Sequence, residues 1–152
     1  MNMSYPVTLK IYKGGQVGAF FTDVPEAITA GTNQAEALDR AQDALTVALS
    51  GYLDDGRPLP VPSKAKRGQP MVVLPPRVAI KLALHAAMCD QGVTQARFGE
   101  LLGIDGRQVR RMLNLDHESK LSQLETALAA LGLRASVSVT KVSPLASSMA
   151  AQ

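Results

Sequence analysis

One proline-rich stretch divides the chain and limits what it can fold into. Residues 57–70, RPLPVPSKAKRGQP, hold four of the nine prolines and show no hydrophobic periodicity. Such a stretch is a linker or an extended, partly ordered strap rather than part of a core. The sequence therefore predicts a first domain over residues 1–74 and a second over residues 75–141, with a flexible tail at residues 142–152.

The first domain has the pattern of a small sheet. Residues 7–12 and 17–22 alternate apolar and polar side chains, the period of a half-buried strand, and the glycines between them favour a hairpin. A short third strand is expected at residues 27–30. Residues 71–74 form a β-prone run that could complete this sheet after the proline-rich stretch.

A well-marked helix follows the third strand. Asn33 is a favourable N-cap, and Glu36 stands three residues later, the spacing of a capping box. One face of the helix repeats Leu38, Leu45, Leu49 and Tyr52. A helix over a small sheet makes an α+β layer, in the order β-β-β-α-β. A unit of about sixty residues is marginal alone, so we expect a partner or a second copy to stabilise it.

The second domain is predicted to be all-α and to end in a strand. Four helices are expected, over residues 77–90, 95–102, 106–113 and 119–131. Residues 133–141 then alternate apolar residues with serine and threonine, which indicates an amphipathic strand. Because this strand has no neighbour in the sequence and an open edge is a liability, we expect it to dimerise with its copy in a second subunit.

The two middle helices have the order of a helix-turn-helix unit, TQARFGELLGIDGRQVRRML at residues 94–113. Gly103 would form the turn. Arg107 and Arg111 lie one helical turn apart, so both can enter one major groove, where arginine recognises guanine and Gln108 can recognise adenine. The candidate DNA-contacting residues are Thr94, Gln95, Gly106, Arg107, Gln108, Arg110, Arg111 and Asn114. The first two suit phosphate groups, because helix N-termini bind anions. The alternative is that the arginines are simply solvated.

The charge is unevenly distributed along the chain. Residues 1–60 carry four basic and seven acidic side chains, whereas residues 61–152 carry twelve basic and six acidic ones. The second half is thus expected to meet a polyanion, and the first half a different partner. An excess of charge also serves to solvate a surface.

Nothing in the sequence indicates catalysis, a metal or a cofactor. His85 and His117 are far apart and fit no metal-ligand spacing, and no phosphate-binding glycine loop or nucleophile motif is present. Cys89 is the single cysteine, so no internal disulfide can form. The longest apolar run, residues 78–88, is interrupted by Lys81 and is too short to span a membrane. With no leader pattern at the N-terminus, we expect the chain in the cytoplasm.

The segment LLGIDGRQVRRML resembles the lambda-repressor or Cro-type helix-turn-helix family, and the resemblance extends over residues 93–132. It implies that DNA is approached by the positions of Gln95, Gly106, Arg107, Gln108 and Arg111. Gly106 replaces the small polar residue common in that family and has no side chain to contribute.

The order of elements as a whole resembles the HicB antitoxin family over residues 5–141. The residues that carry the resemblance are YPVTLKI, FFTDVPEAITAG, TNQAEALDRAQDALTVALSGYLDDG and RPLPVPS. It implies a partial ribonuclease-H-like first domain that binds a HicA-type mRNA interferase toxin and blocks its active site. It also implies a second domain that represses the operon's promoter.

Two features qualify what this resemblance carries over. No nuclease activity is expected, because the strands offer only Asp23 where metal-dependent chemistry needs several carboxylates. At residues 24–30, VPEAITA replaces a turn of the Pro-Gly-Cys type that is common in the family, so no toxin-contacting residues are assigned.

Two other functions remain open at this point. The chain could be a stand-alone dimeric transcriptional regulator whose first domain senses a ligand or dimerises. An RNA-binding module is the weaker option. Tyr12, Phe20 and Phe21 could stack on bases, but the acidic balance of the first domain repels RNA.

Overall fold

A computed structural model describes residues 3–141 of the chain. Its strands are β1 (Ser4–Pro6), β2 (Thr8–Ile11), β3 (Val17–Phe20), β4 (Ile28–Gly31) and β5 (Met71–Val73). Its helices are α1 (Gln34–Asp54), α2 (Pro76–Gln91), α3 (Gln95–Leu102), α4 (Gly106–Leu113) and α5 (Leu121–Ala130). The predicted α+β class is confirmed. None of the described helices is both long enough and apolar enough to cross a membrane, and the predicted tail lies outside the described residues.

The strands form two antiparallel sheets rather than one. β2, β3 and β4 pair in sequence order, with Leu9 opposite Ala19, and β5, the last predicted run, pairs with β1. The strand predicted over residues 7–12 is therefore wrong at its start, because β1 and β2 are separated at Val7. Val7 instead donates its N–H to the carbonyl of Pro70 at 3.0 Å, so the end of the proline-rich stretch interrupts the strand.

Helix α1 packs across the three-stranded sheet, and Gly31 permits the close approach. A Cβ at Gly31 would lie 2.5 Å from the backbone nitrogen of Ala37. The predicted N-cap is confirmed, because the Asn33 side chain accepts the Glu36 N–H at 2.9 Å. The other half of the predicted capping box is not formed. The Glu36 carboxylate instead pairs with Arg40, one turn along the helix, at 2.6 Å.

Residues 57–70 are tied to the first domain at several points besides the Val7–Pro70 hydrogen bond, as a strap would be. The hydroxyl of the buried Tyr5 donates to the carbonyl of Pro60 at 2.7 Å. Ser63 donates its backbone N–H to the Asp23 carboxylate at 2.9 Å, and its hydroxyl donates to the same carboxylate. Asp23, the one carboxylate that the predicted strands offer, is thus engaged in holding the strap.

Helix α2 contributes to two clusters of buried side chains. Val78 and Leu82 join the first core, which also holds side chains of the sheets and of α1. Leu84 and Met88 join the second core, with side chains of α3, α4 and α5. Leu115, which follows α4, packs into the first core. The two halves of the chain therefore meet along α2.

Residues 133–141 belong to no helix or strand within the described part of the chain. Val137 and Val139 are 82% and 90% exposed, so these two side chains of the predicted strand are open to solvent, whereas Ala135 is half-buried against the second core. A strand forms only where a neighbour supplies its hydrogen bonds, and the predicted neighbour is a second copy. The predicted terminal strand is thus not formed in the single chain, and its pairing in a dimer stays a prediction.

Candidate nucleic-acid interface

Helices α3 and α4 have the bounds that the sequence predicts, and each begins with its own cap. The Thr94 hydroxyl accepts the Arg97 N–H at 3.1 Å at the start of α3. Gly103, left-handed with φ of 66°, ends that helix. At the start of α4 the Asp105 carboxylate accepts the Gln108 N–H at 2.8 Å, and the Gln108 side-chain oxygen accepts the Asp105 N–H at 3.1 Å. Local contacts therefore define both short helices.

The two helices approach each other closely at Gly99, which is buried in α3. A Cβ there would lie 2.9 Å from the carbonyl oxygen of Ile104 and 3.3 Å from Cγ2 of Val109. Phe98 and Val109 are fully buried beside this contact. The orientation of α4 against α3 is thus held by packing as well as by the caps.

Helix α4 buries one face and exposes a strongly basic one. Its buried residues are Val109, Met112 and Leu113. Its exposed face carries Arg107, Arg110 and Arg111. Within residues 3–141 none of these three arginines forms an ion pair, whereas Arg97 of α3 pairs with Glu100 at 3.1 Å. Guanidinium groups open to solvent on one helix attract a polyanion.

All eight predicted DNA-contacting residues are exposed on α3, on α4 or at their caps. Three of them also use their side chains inside the chain, the first being Thr94, whose hydroxyl caps α3. The Gln108 amide oxygen is used in the capping box, so its NH₂ group is the part that can bind an outside acceptor. Asn114 is the C-cap of α4, and its side-chain oxygen accepts the Asp116 N–H at 2.9 Å. Gly106 has no side chain, and a Cβ added there would lie in ordinary contact with Arg110, 3.4 Å from its Nη1.

The residue that holds the end of α4 is not among those that the sequence singles out. Lys81 of α2 is 0% exposed. Its Nζ donates to the carbonyl oxygens of Asn114 at 2.7 Å and Arg111 at 3.2 Å, and also to that of His117. Burial, with a smaller contribution from the charge of Arg77, lowers the pKa of Lys81 to about 8. The last turn of α4 and the loop after it are thus bound to α2.

A cavity of about 660 Å³ lies between the strap and α2. Its walls include Tyr5, Leu59, Pro60, Met71, His85 and Cys89. The Cys89 thiol lies 3.8 Å from Nε2 of His85, and burial lowers the pKa of the His85 imidazole. Among residues 3–141, no three or more histidine, cysteine, aspartate or glutamate side chains are grouped so as to hold a metal ion. The walls of the cavity are mainly apolar.

Comparison with known proteins shows which family this chain is similar to. Residues 4–83, more than half of the chain, match the family described as HicB_like antitoxin of bacterial toxin-antitoxin system. The chain is 37% identical over 131 residues to Antitoxin HicB 2 of Photorhabdus laumondii, which covers 86% of this chain and 92% of that protein. It is 35% identical over 130 residues to Antitoxin HicB of Escherichia coli K12, and the match covers 86% of this chain and 94% of that protein. It is 36% identical over 126 residues to Antitoxin HicB of Pseudomonas fluorescens Pf0-1, and the match covers 82% of this chain and 86% of that protein.

Proposed function

We infer the function from one premise, that the chain belongs to the HicB-like antitoxin family of bacterial toxin–antitoxin systems. We propose that residues 1–74 bind and inhibit a HicA-type mRNA interferase toxin, and that residues 75–141 bind promoter DNA and repress the operon. The observation that carries the proposal is the extent of the matches. They cover at least 82% of this chain and at least 86% of each of the three relatives.

Inhibition of the toxin would depend on shape and charge rather than on catalysis. A protein that cleaves mRNA binds a polyanion, so its binding surface is expected to be basic. The excess of acidic side chains in residues 1–60 is complementary to such a surface. On α1, Asp39 and Asp43 are exposed, and Val47, one turn further, is 71% exposed. A surface of this kind can cover an RNA-binding site without reacting, and we propose that the chain is not an enzyme.

Repression would depend on α4. The guanidinium groups of Arg107 and Arg111 are one turn apart and open to solvent, which suits recognition of guanine in one major groove. Thr94 and Gln95 are placed at the start of α3, where backbone N–H groups suit phosphate. We propose that a homodimer joined through residues 133–141 binds two half-sites about one DNA turn apart. Because the toxin's mRNA substrate and the promoter are both found in the cytoplasm, we propose that the chain acts there.

A second candidate is a stand-alone dimeric regulator whose first domain senses a small ligand. The cavity under the strap favours it, since its volume of about 660 Å³ lies within the range of small-molecule sites. The two candidates differ in what the first domain binds. An antitoxin needs a protein partner, whereas a sensor needs a small molecule that changes affinity for DNA.

Co-expression of the full chain with the small protein encoded beside its gene tests the proposal. We expect the two proteins to co-purify as a complex, and the free chain to shift its promoter DNA in a gel. An Asp39→Ala, Asp43→Ala variant should bind the toxin more weakly and still shift the promoter. Promoter binding without any complex with the neighbouring protein would contradict the antitoxin proposal and favour the sensor.

A further inference from the structure

The end of α4 is attached at two points, one in the first core and one on α2. Leu115, the residue directly after the helix cap Asn114, is 1% exposed. It belongs to the buried cluster that also holds Leu45 of α1 and Val72 of β5. The second attachment is Lys81, whose amine donates to three backbone carbonyls at the end of α4 and in the following loop. The loop is therefore held from two sides.

Lys81 has the chemistry of a fixed anchor. An ammonium group has three donors, and here three carbonyl oxygens accept from it. A buried charge is strongly unfavourable unless it is hydrogen-bonded in full, so the amine has no equally good position nearby. Carbonyls at a helix C-terminus carry partial negative charge, which favours a cation there. The last turn of α4 must therefore stay where the amine is.

Helix α2 links this anchor to both cores. Val78, one turn before Lys81, is buried in the first core, and Leu84, one turn after it, is buried in the second. Arg111 both offers a carbonyl to Lys81 and carries one of the exposed guanidinium groups of α4. A shift of α2 against the first core would thus move a predicted DNA-contacting residue.

We propose that Lys81 is a positioning residue for DNA recognition: with Leu115, it fixes how α4 presents its arginines and ties that presentation to the first domain. The inference rests on the proposed DNA binding by α4. Lys81 is fully buried and so acts through α4 without touching DNA. Whatever shifts the packing of α2 on the first domain, including a bound partner, would then change the affinity of α4 for its site.

A Lys81→Met variant of the full chain tests this proposal. Methionine keeps an unbranched side chain and removes the three donors. Val17→Ala is the matched control, because Val17 is buried in β3 but belongs to neither of the two buried clusters, so its truncation lowers stability without disturbing α2 or the attachments of α4. Affinity for the chain's own promoter DNA and for unrelated DNA of equal length is measured where circular dichroism shows both variants folded. Relative to Val17→Ala, we expect Lys81→Met to lose about tenfold or more in promoter affinity, the effect of one good base contact. Affinity for unrelated DNA should change little.

Hydrogen exchange gives a second measurement that needs no DNA. The amides of residues 110–114, in the last turn of α4, are compared with those of α3 at a pH and temperature where each variant is folded. In Lys81→Met we expect faster exchange in the last turn of α4 and unchanged exchange in α3. In Val17→Ala the ratio between the exchange rates of the two helices should stay that of the unmodified chain.

Each outcome decides the proposal. Equal promoter affinity for the two variants, or an unchanged exchange ratio in Lys81→Met, overturns it. If the unmodified chain does not prefer its promoter to unrelated DNA, the proposed DNA binding fails, and exchange alone decides whether Lys81 positions α4. If Lys81→Met does not fold, Leu115→Ala, which removes the other attachment, is judged by the same two measurements and the same results.

Discussion

The close contact at Gly99 predicts that adding a single methyl group there will lower the stability of the chain relative to the same change at an open site. In Gly99→Ala the new Cβ would lie 2.9 Å from the carbonyl oxygen of Ile104, closer than a Cβ and a backbone oxygen normally approach. The backbone of the turn or the whole of α3 must then shift. Gly51→Ala is the matched control, since it is the same change inside helix α1 with nothing within 4 Å of the new Cβ.

Two effects of opposite sign set the magnitude. Alanine is favoured over glycine inside a helix by roughly 0.5–1 kcal/mol. Overpacking a well-filled site destabilises by about 1–3 kcal/mol. Gly51→Ala has only the first effect and should raise the free energy of unfolding by up to about 1 kcal/mol. Gly99→Ala has both effects, so the two variants should differ by about 1–3 kcal/mol.

Urea unfolding of the full chain, followed by far-ultraviolet circular dichroism, measures this difference. The unmodified chain and both variants are compared at one pH and one protein concentration. An equal slope of the unfolding free energy against urea concentration checks that all three chains undergo the same transition. If Gly99→Ala stabilises the chain as much as Gly51→Ala, the close approach of α3 to the turn does not constrain α4, and the packing argument fails.

Three further predictions follow from the site. The pKa of Lys81 is lowered from 10.5 to about 8, so the unfolded chain binds more protons than the folded chain between these pH values. The free energy of unfolding should therefore rise with pH across that window, by up to about 3 kcal/mol, and urea titrations should find this rise missing in Lys81→Met. Arg107→Ala with Arg111→Ala should weaken promoter binding by roughly 1–3 kcal/mol for each base contact, whereas Arg40→Ala on α1 should leave it unchanged; equal gel shifts for both variants would contradict the assignment. Removal of residues 133–152 should lower the oligomeric state measured by light scattering, and an unchanged mass would exclude dimerisation through this segment.

The helix pair α3–α4 is predictable because its signals are local. Thr94 and Asp105 lie directly before the helices that they cap, and Gly103 supplies the left-handed turn between them. Each signal depends only on residues within one or two turns. The bounds of both helices therefore agree with the structure, although both are short.

Two features of the structure could not be predicted from the sequence, because they depend on contacts between distant parts of the chain. The strand predicted to include Val7 is interrupted because its N–H is bound by Pro70, at the far end of the strap. Lys81 follows Val78 by three residues and precedes Leu82 by one, a spacing that does place it on the buried face of a helix. Its partners, however, are backbone carbonyls, which leave no mark in a sequence.

We propose above all that this chain inhibits a toxin by binding it. The most direct test is a titration of the purified full chain against the small protein encoded beside its gene, with cleavage of mRNA as the readout. We predict that cleavage falls in proportion to added chain and stops at a fixed stoichiometric ratio, because occlusion of the RNA site needs one binding surface for each toxin. Cleavage that continues undiminished with the chain in excess would contradict the account.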